Sequence, residues 1–162
     1  MSAPHVWRAG PDEAEVVGQL LIDFRNHLKV EWPSDNAFLA GVDRLIEDPN
    51  TAYLLASPDA DSPPQGVAQV RFRFGIWWAA EDCLLEDLFV RADARGSGLG
   101  RALLGAVVDL ARRRGCRRVE LDANEDNAAA QALYTSVGFD AQDDRYGGRN
   151  LFMRLHLDPP AG

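Results

Sequence analysis

Cysteine, methionine and histidine are scarce in this chain of 162 residues, at two, two and three copies. Cys83 and Cys116 make no CxxC pair, and His5, His27 and His156 lie far apart. Neither a disulfide framework nor a sequence-local zinc site is expected, so no metal is assigned. Long apolar runs are missing too, which excludes a transmembrane helix. The start, Met1-Ser2-Ala3-Pro4-His5, lacks the basic and apolar regions of a secretion signal, so a cytoplasmic location is expected. Basic residues number 17 against 25 acidic ones, and the net charge of −8 argues against a nucleic-acid partner.

What remains is an ordinary globular composition, 46% hydrophobic and 26% charged, which excludes intrinsic disorder. The length suits one domain over residues 1–158, followed by a frayed tail over 159–162. The charge is unevenly spread. Between Arg91 and Arg118 stand eight arginines and two acids, Asp93 and Asp109, while the rest of the chain is strongly acidic. That asymmetry suggests a site with an anion on one side and a cation on the other. Arg112, Arg113 and Arg114 are expected mainly to complement the carbonyl end of a helix.

The hydrophobic period defines the element order. Val6–Ala9 reads as a short strand closed by Gly10-Pro11. Asp12 and Glu13 open a helix whose apolar positions are Val16, Leu20, Phe24 and Leu28. Ser34 is a plausible N-cap for a second helix carrying Phe38, Val42, Leu45 and Ile46, and Asp48-Pro49-Asn50 stops it. The period then changes to two over Thr51–Ala56, Gly66–Phe74 and Cys83–Val90, and with the first strand these four are expected to follow one another by short links as antiparallel neighbours. From Gly98 to Arg114, Leu99, Ala102, Leu103, Ala106, Val107, Leu110 and Ala111 form one continuous apolar helical face. Val119–Leu121 is a strand parallel to Cys83–Val90 by the crossover rule. Asn127–Val137 is a last helix, and Phe139–Arg145 with Asn150–Leu157 is expected as a hairpin about Tyr146-Gly147-Gly148.

The informative stretch runs Leu85-Glu-Asp-Leu-Phe-Val90 into Arg95-Gly-Ser-Gly-Leu-Gly100-Arg101. A strand ends, a loop follows, and three glycines sit where the long helix begins. Glycine lets a ligand approach the backbone closely, and the unpaired N–H groups of a helix start attract an anion. A P-loop is excluded because Arg101-Ala102 stands where Gly-Lys-Ser/Thr is needed. The dinucleotide fingerprint fails at Arg101 or Leu103, and the nucleophile elbow fails at Arg95 and Leu99.

Arg-Gly-x-Gly-x-Gly after a strand resembles the pyrophosphate loop of the GNAT superfamily of N-acetyltransferases. A second motif agrees: Asn127-Ala-Ala-Ala-Gln-Ala-Leu-Tyr-Thr-Ser-Val-Gly-Phe139 resembles the family's Asn, Leu-Tyr and Gly-Phe pattern. Within the superfamily the Leu85–Val90 strand and its glycine turn look most like the spermidine/spermine (diamine) N-acetyltransferases. The resemblance implies a mixed α/β fold. Its central sheet would have about seven mostly antiparallel strands, with about four flanking helices and a parallel V-shaped splay between the strands near 83–90 and 118–122. It also implies acetyl-CoA as co-substrate, a primary amine such as a polyamine or amino acid as acceptor, and a homodimer.

Site residues follow from the same resemblance. Leu88, Phe89 and Val90 would bond the pantetheine arm through their backbone, with a bulge near Leu88 aiming an N–H at the thioester oxygen. Arg95, Gly96, Ser97, Gly98, Leu99, Gly100 and Arg101 would hold the diphosphate. Asn127 would contact the cofactor or simply cap its helix, and Tyr134, two turns later on the same face, would protonate the leaving thiolate. Glu86 and Asp87 interrupt an apolar strand, and adjacent strand residues face opposite ways unless a bulge redirects them. Glu86 is chosen as the group that binds and helps deprotonate the amine, against a salt bridge to Arg71 or Arg73. Glu31 and Trp32, between the first two helices, lie where relatives bind acceptor, and Trp77 and Trp78 could line the same cleft. The alternatives are a protein or peptide N-acetyltransferase, acetylation of an aminoglycoside or other amine drug, and a non-catalytic acetyl-CoA sensor.

Overall fold

The computed structural model describes residues 3–142 and 145–159. Met1, Ser2 and the last three residues of the expected tail lie outside them. The chain forms two compact units, Met1–Leu121 and Asp122–Gly162. The first unit runs β1 (His5–Arg8), α1 (Ala14–His27), α2 (Asp35–Ile46), β2 (Thr51–Ser57), β3 (Gly66–Gly75), β4 (Ala80–Val90), α3 (Leu99–Arg114) and β5 (Arg118–Glu120). The second holds α4 (Ala128–Val137). No helix among the described residues is long and apolar enough to cross a membrane.

Local chemistry sets the helix starts. The Glu13 carboxylate accepts from the Trp7 indole at 2.9 Å and from the Gly10 N–H at 3.1 Å, which stitches β1 to the turn entering α1. Ser34 caps α2 as its position suggests, its hydroxyl oxygen accepting from the Ala37 N–H at 3.2 Å.

The five strands lie in sequence order, antiparallel except for the last pair, where β5 runs parallel to β4. β2 is buried at all seven residues because the sheet is covered on both faces. On one face α1 and α2 bring Val17, Leu20, Leu21 and Val42 against Tyr53, Leu55, Val67 and Phe89. On the other, α3 packs on β2, β3 and β4 through the buried Leu99, Leu103, Leu104 and Val107. Each such aliphatic side chain contributes about 1.5–3 kcal/mol on burial.

Sheet and helices thus follow the expected α/β order, but among the described residues five strands form where about seven were expected. The hairpin over 139–145 and 150–157 reduces, among the described residues, to a single bridge between Gln142 and Arg149. Residues 143 and 144 of it lie outside the description. Gly147 and Gly148 take positive φ and make the turn. Leu151, Met153, Leu155 and Leu157 nevertheless stay 72–86% exposed, so their alternation buries no face. A two-stranded hairpin with no covered face is marginal, and no ladder forms.

Arg114 does more than complement a helix end. Its Nε and Nη2 donate to the two Glu81 oxygens at 2.9 and 3.0 Å. Its Nη1 donates to the Pro49 carbonyl at 2.8 Å, and its guanidinium carbon lies 3.8 Å from the Phe72 ring centroid. Charge-assisted bonds of this kind make Arg114→Ala destabilising by about 2 kcal/mol at neutral pH. The guanidinium holds the Glu81 carboxyl below its ordinary 4.5. The stabilisation is therefore complete above that value and disappears as pH falls through the lower folded-state value. Denaturation in urea should show the gap between wild type and Arg114→Ala narrowing from pH 7 to pH 3, and a constant gap would contradict this account.

Candidate functional site

The glycine turn places Gly96, Gly98 and Gly100 at the start of α3. Gly96 and Gly98 adopt φ of +78° and +84°, a backbone conformation that other residues enter only at a cost. Gly98 stands at the N-cap of α3, and the first helical bond there runs from the Ala102 N–H to its carbonyl at 3.0 Å. A β-carbon built at Gly96 or Gly98 meets nothing within 4 Å, so the space above both residues is open. The N–H groups of the helix start, at Leu99, Gly100 and Arg101, point along the axis into it.

The side chains around the turn fix its backbone. The Ser97 hydroxyl donates to the Ala94 carbonyl. Arg95 donates from Nε to the Val90 carbonyl at 3.0 Å, tying the loop to the end of β4, and both Arg95 and Arg101 are exposed. Other arginines of the basic segment are engaged elsewhere: Arg91 with Asp23 at 2.7 Å, Arg118 with Glu120 at 2.6 Å, and Arg114 with Glu81.

β4 leads into this turn, and its outer edge has no strand partner beyond Leu84 among the described residues. β5 pairs with it only over Asp82–Leu84, opposite Arg118–Glu120. Beyond Leu84, β4 keeps its bonds to β3, with Leu88, Phe89 and Val90 opposite Ala68, Val67 and Gly66. The Phe89 side chain belongs to the core, stacked on Phe24 with centroids 5.1 Å apart.

The bulge lies at Glu86, two residues before the expected position near Leu88. Gln69 pairs with Asp87 and Val70 with Leu85, leaving Glu86 as the extra residue. Its carboxylate accepts from Gln69 Nε2 at 2.7 Å, and Glu86 is exposed while Asp87 is half-buried. The salt bridge weighed against the functional role does not form. Arg71 faces Asp48 at 3.7 Å, and Arg73 faces Glu120 at 3.7 Å.

Between α1, α2 and the sheet lies a cavity of about 320 Å³. Asp87, Gln69 and Tyr53 form its polar end, and they stand in register on β4, β3 and β2. Phe24, Leu28, Trp32 and Phe38 contribute apolar wall. The expectations for this region divide. Trp32 lines the cavity; Glu31 does not, and Asp87 rather than Glu86 is the carboxylate of the wall. Trp77 is 82% exposed on the β3–β4 turn, and Trp78 stacks with Arg117 at 4.7 Å, so neither lines the cleft.

Tyr53 and Gln69 are the residues that the sequence reading missed. Tyr53 looked like one more apolar strand residue. Gln69 could have been noticed as an uncharged polar residue on a strand face otherwise carrying Val67, Arg71 and Arg73.

In the second unit Asn127 caps α4, its side-chain oxygen accepting from the Ala130 N–H at 3.1 Å. Tyr134 is half-buried on the same helix, edge-on to Phe139 at 6.0 Å. Burial, and secondarily the Asp122 carboxylate, raise the ionisation of its hydroxyl above the ordinary 10, so it is protonated at neutral pH.

Comparison with known proteins agrees with this arrangement. The model of the acetyltransferase (GNAT) family matches residues 5–139. An aminoglycoside N(6')-acetyltransferase type 1 of Stenotrophomonas maltophilia is 31% identical, over 99% of this chain and 98% of the relative. The crystal structure of a candidate acetyltransferase from Arthrobacter sp. FB24 superposes with a TM-score of 0.83 at 29% identity, covering 97% of each chain. AAC(6')-Iy, solved with a CoA bisubstrate analogue, shares the fold with a TM-score of 0.73 at 22% identity, over 96% of this chain and all of that one. A β4 edge unpaired beyond Leu84 among the described residues, glycines of positive φ at a helix start and a match spanning most of the chain have one joint meaning: the chain belongs to the GNAT family and is an acyl-CoA-dependent N-acetyltransferase.

Proposed function

We propose that this enzyme transfers an acetyl group from acetyl-CoA to the primary amine of a small cationic molecule, by direct attack within a ternary complex. The observation that carries this reading is the bulge at Glu86, which sets Glu86 and Asp87 against the same residue, Gln69, at the polar end of a cavity on the strand leading to the glycine cradle. Acetyl-CoA supplies the acyl group as an activated thioester. The amides from Gly96 to Arg101, with the Arg95 and Arg101 guanidiniums, hold its diphosphate, and the free edge of β4 from Leu88 to Val90 bonds its pantetheine arm.

The acceptor arrives as an ammonium, for which the Asp87 carboxylate of the wall is the complementary partner, with Glu86 bonded to the neighbouring Gln69. Glu86 takes its proton, directly or through a water, and the freed nitrogen lone pair attacks the thioester carbon. A carbon–nitrogen bond forms, the carbon–sulfur bond breaks, and the thiolate receives a proton from the Tyr134 hydroxyl. The acylated nitrogen gives up its second proton, through water, to the Tyr134 phenolate, and Glu86 returns the first to solvent, so one proton is released per turnover. The relatives named as aminoglycoside acetyltransferases support amine acceptors of this general type. Homodimerisation, implied by the resemblance, belongs to the same proposal and is read out by sedimentation.

Release of free CoA thiol across a panel of alkylamines, polyamines, amino acids, peptides and aminoglycosides tests the activity. Peptides alone as acceptors would replace this reading by the protein N-acetyltransferase, and no release from any amine would leave only an acetyl-CoA sensor. Glu86→Gln should raise the amine KM or move the pH optimum upward, with acetyl-CoA binding unchanged. An unaltered pH–rate profile would remove Glu86 from the chemistry.

A further inference from the structure

We infer that the preferred acceptor carries a single cationic head on an apolar alkyl or aryl body, and that the Tyr53 hydroxyl is the specificity-determining group that reads the head. This inference rests on the acceptor reading above and narrows it to one chemical class.

The first reason is the distribution of polarity in the cavity. Its two charged wall residues are Arg25 and Asp87. Arg25 is held by Asp35 at 2.6 Å and by the Pro33 carbonyl at 2.6 Å, so its charge is already paired. Asp87 is the one acidic side chain of the wall, beside Gln69 and Tyr53. The remaining surface is largely Leu21, Phe24, Leu28, Trp32, Phe38 and Leu45. A volume of about 320 Å³ is at the small end for a ligand site. An ammonium at the polar end leaves its carbon body among these side chains, where burial is favourable. A second ammonium, or the many hydroxyls of a sugar amine, would enter the same wall without oxygens to receive them and lose their water.

The second reason is Tyr53 itself. It is 1% exposed, and its hydroxyl has no hydrogen-bond partner among the described residues. Buried polar groups are nearly always paired, and an orphan on a cavity wall is what a ligand head would complete. The oxygen can accept from an ammonium while its proton turns toward a carboxylate. Burial and the neighbouring Asp87 and Glu86 charges push its ionisation far above the ordinary value, so it stays a neutral hydroxyl throughout the working range. Tyr53, Gln69 and Asp87 sit on three adjacent paired strands, so the head position is set by the sheet rather than by loops.

A matched pair of acceptors tests this: hexylamine and 1,6-diaminohexane, which differ by a terminal ammonium at the apolar end. Thiol-release kinetics with acetyl-CoA should give hexylamine a kcat/KM at least about tenfold higher. Tyr53→Phe keeps the ring and should retain the melting temperature. It should raise the hexylamine KM about tenfold, with kcat and the acetyl-CoA KM within about threefold of wild type. Equal or better use of the diamine overturns the substrate class, and an unchanged hexylamine KM in Tyr53→Phe overturns the role of the hydroxyl. In both cases amine acetylation itself would still stand. Thiol release from no amine at all would instead overturn the parent reading together with this one.

Discussion

Replacing Tyr134 by phenylalanine should lower kcat by about 10²–10⁴-fold while leaving the KM for acetyl-CoA and the melting temperature close to wild type. The stability expectation comes from the ring. Its edge contact with Phe139 at 6.0 Å does not involve the hydroxyl, so Phe preserves the packing. The rate expectation comes from the leaving group. A thiolate leaves more readily when a donor meets it as the carbon–sulfur bond stretches. Because burial and Asp122 raise the Tyr134 ionisation above the ordinary 10, the phenol keeps its proton throughout the neutral range. The same shift makes full transfer to sulfur harder, so the hydroxyl acts as a hydrogen-bond donor first and gives up its proton late. Two consequences follow for steady-state kinetics. The wild-type pH–rate profile should carry no descending limb from Tyr134 below about pH 10. Tyr134→Phe should lower kcat and kcat/KM together, the pattern of an interaction made only in the transition state. A variant within threefold of the wild-type kcat would reduce Tyr134 to a packing residue of α4.

How far the sequence reached can be judged from particular residues. The α3 face from Leu99 to Ala111, the Ser34 cap and the Asn127 cap were legible because each depends on spacing within one helix. The conformation of the glycine turn was legible for a related reason: positive φ at Gly96 and Gly98 is a local demand that few residues meet. The bulge was not placed, because one extra residue in β4 is defined by its pairing with β3 and leaves no mark in the alternation of β4 alone. For the same reason Glu86 and Asp87 could not be sorted. Their order along the chain implied opposite faces, and the bulge sets both against Gln69.

The cavity wall was the least legible part, since Tyr53, Gln69 and Asp87 meet only across strands 16 to 18 residues apart in sequence. Pairing of that kind is decided by the sheet and by α1 and α2 lying over it. The C-terminal segment erred in the opposite direction. Leu151, Met153, Leu155 and Leu157 alternate as a strand should, yet alternation predicts a strand only where a surface exists to bury one side.

Gly98→Asp should weaken acetyl-CoA binding by about 100-fold or more in calorimetry. Like charges about 4 Å apart repel by roughly 4 kcal/mol at an effective dielectric constant near 20, and the new carboxylate would stand where the diphosphate is proposed to rest. A loss of that size could also come from a distorted turn, so a second variant separates the two causes. Gly115, at the far end of α3, has φ of +81° against +84° at Gly98, and a β-carbon at either position meets nothing within 4 Å. Gly98→Ala and Gly115→Ala therefore carry the same backbone strain, about 1–2 kcal/mol, and should lower the melting temperature by similar amounts. Only Gly98→Ala should weaken acetyl-CoA, because a methyl group there occupies space open in the protein alone and needed by a ligand lying against the amides. Charge adds the rest in Gly98→Asp, whose deficit should shrink in high salt while that of Gly98→Ala does not. Wild-type affinity in both Gly98 variants would mean that the diphosphate rests elsewhere, and that the helix start serves only to turn the chain from β4 into α3.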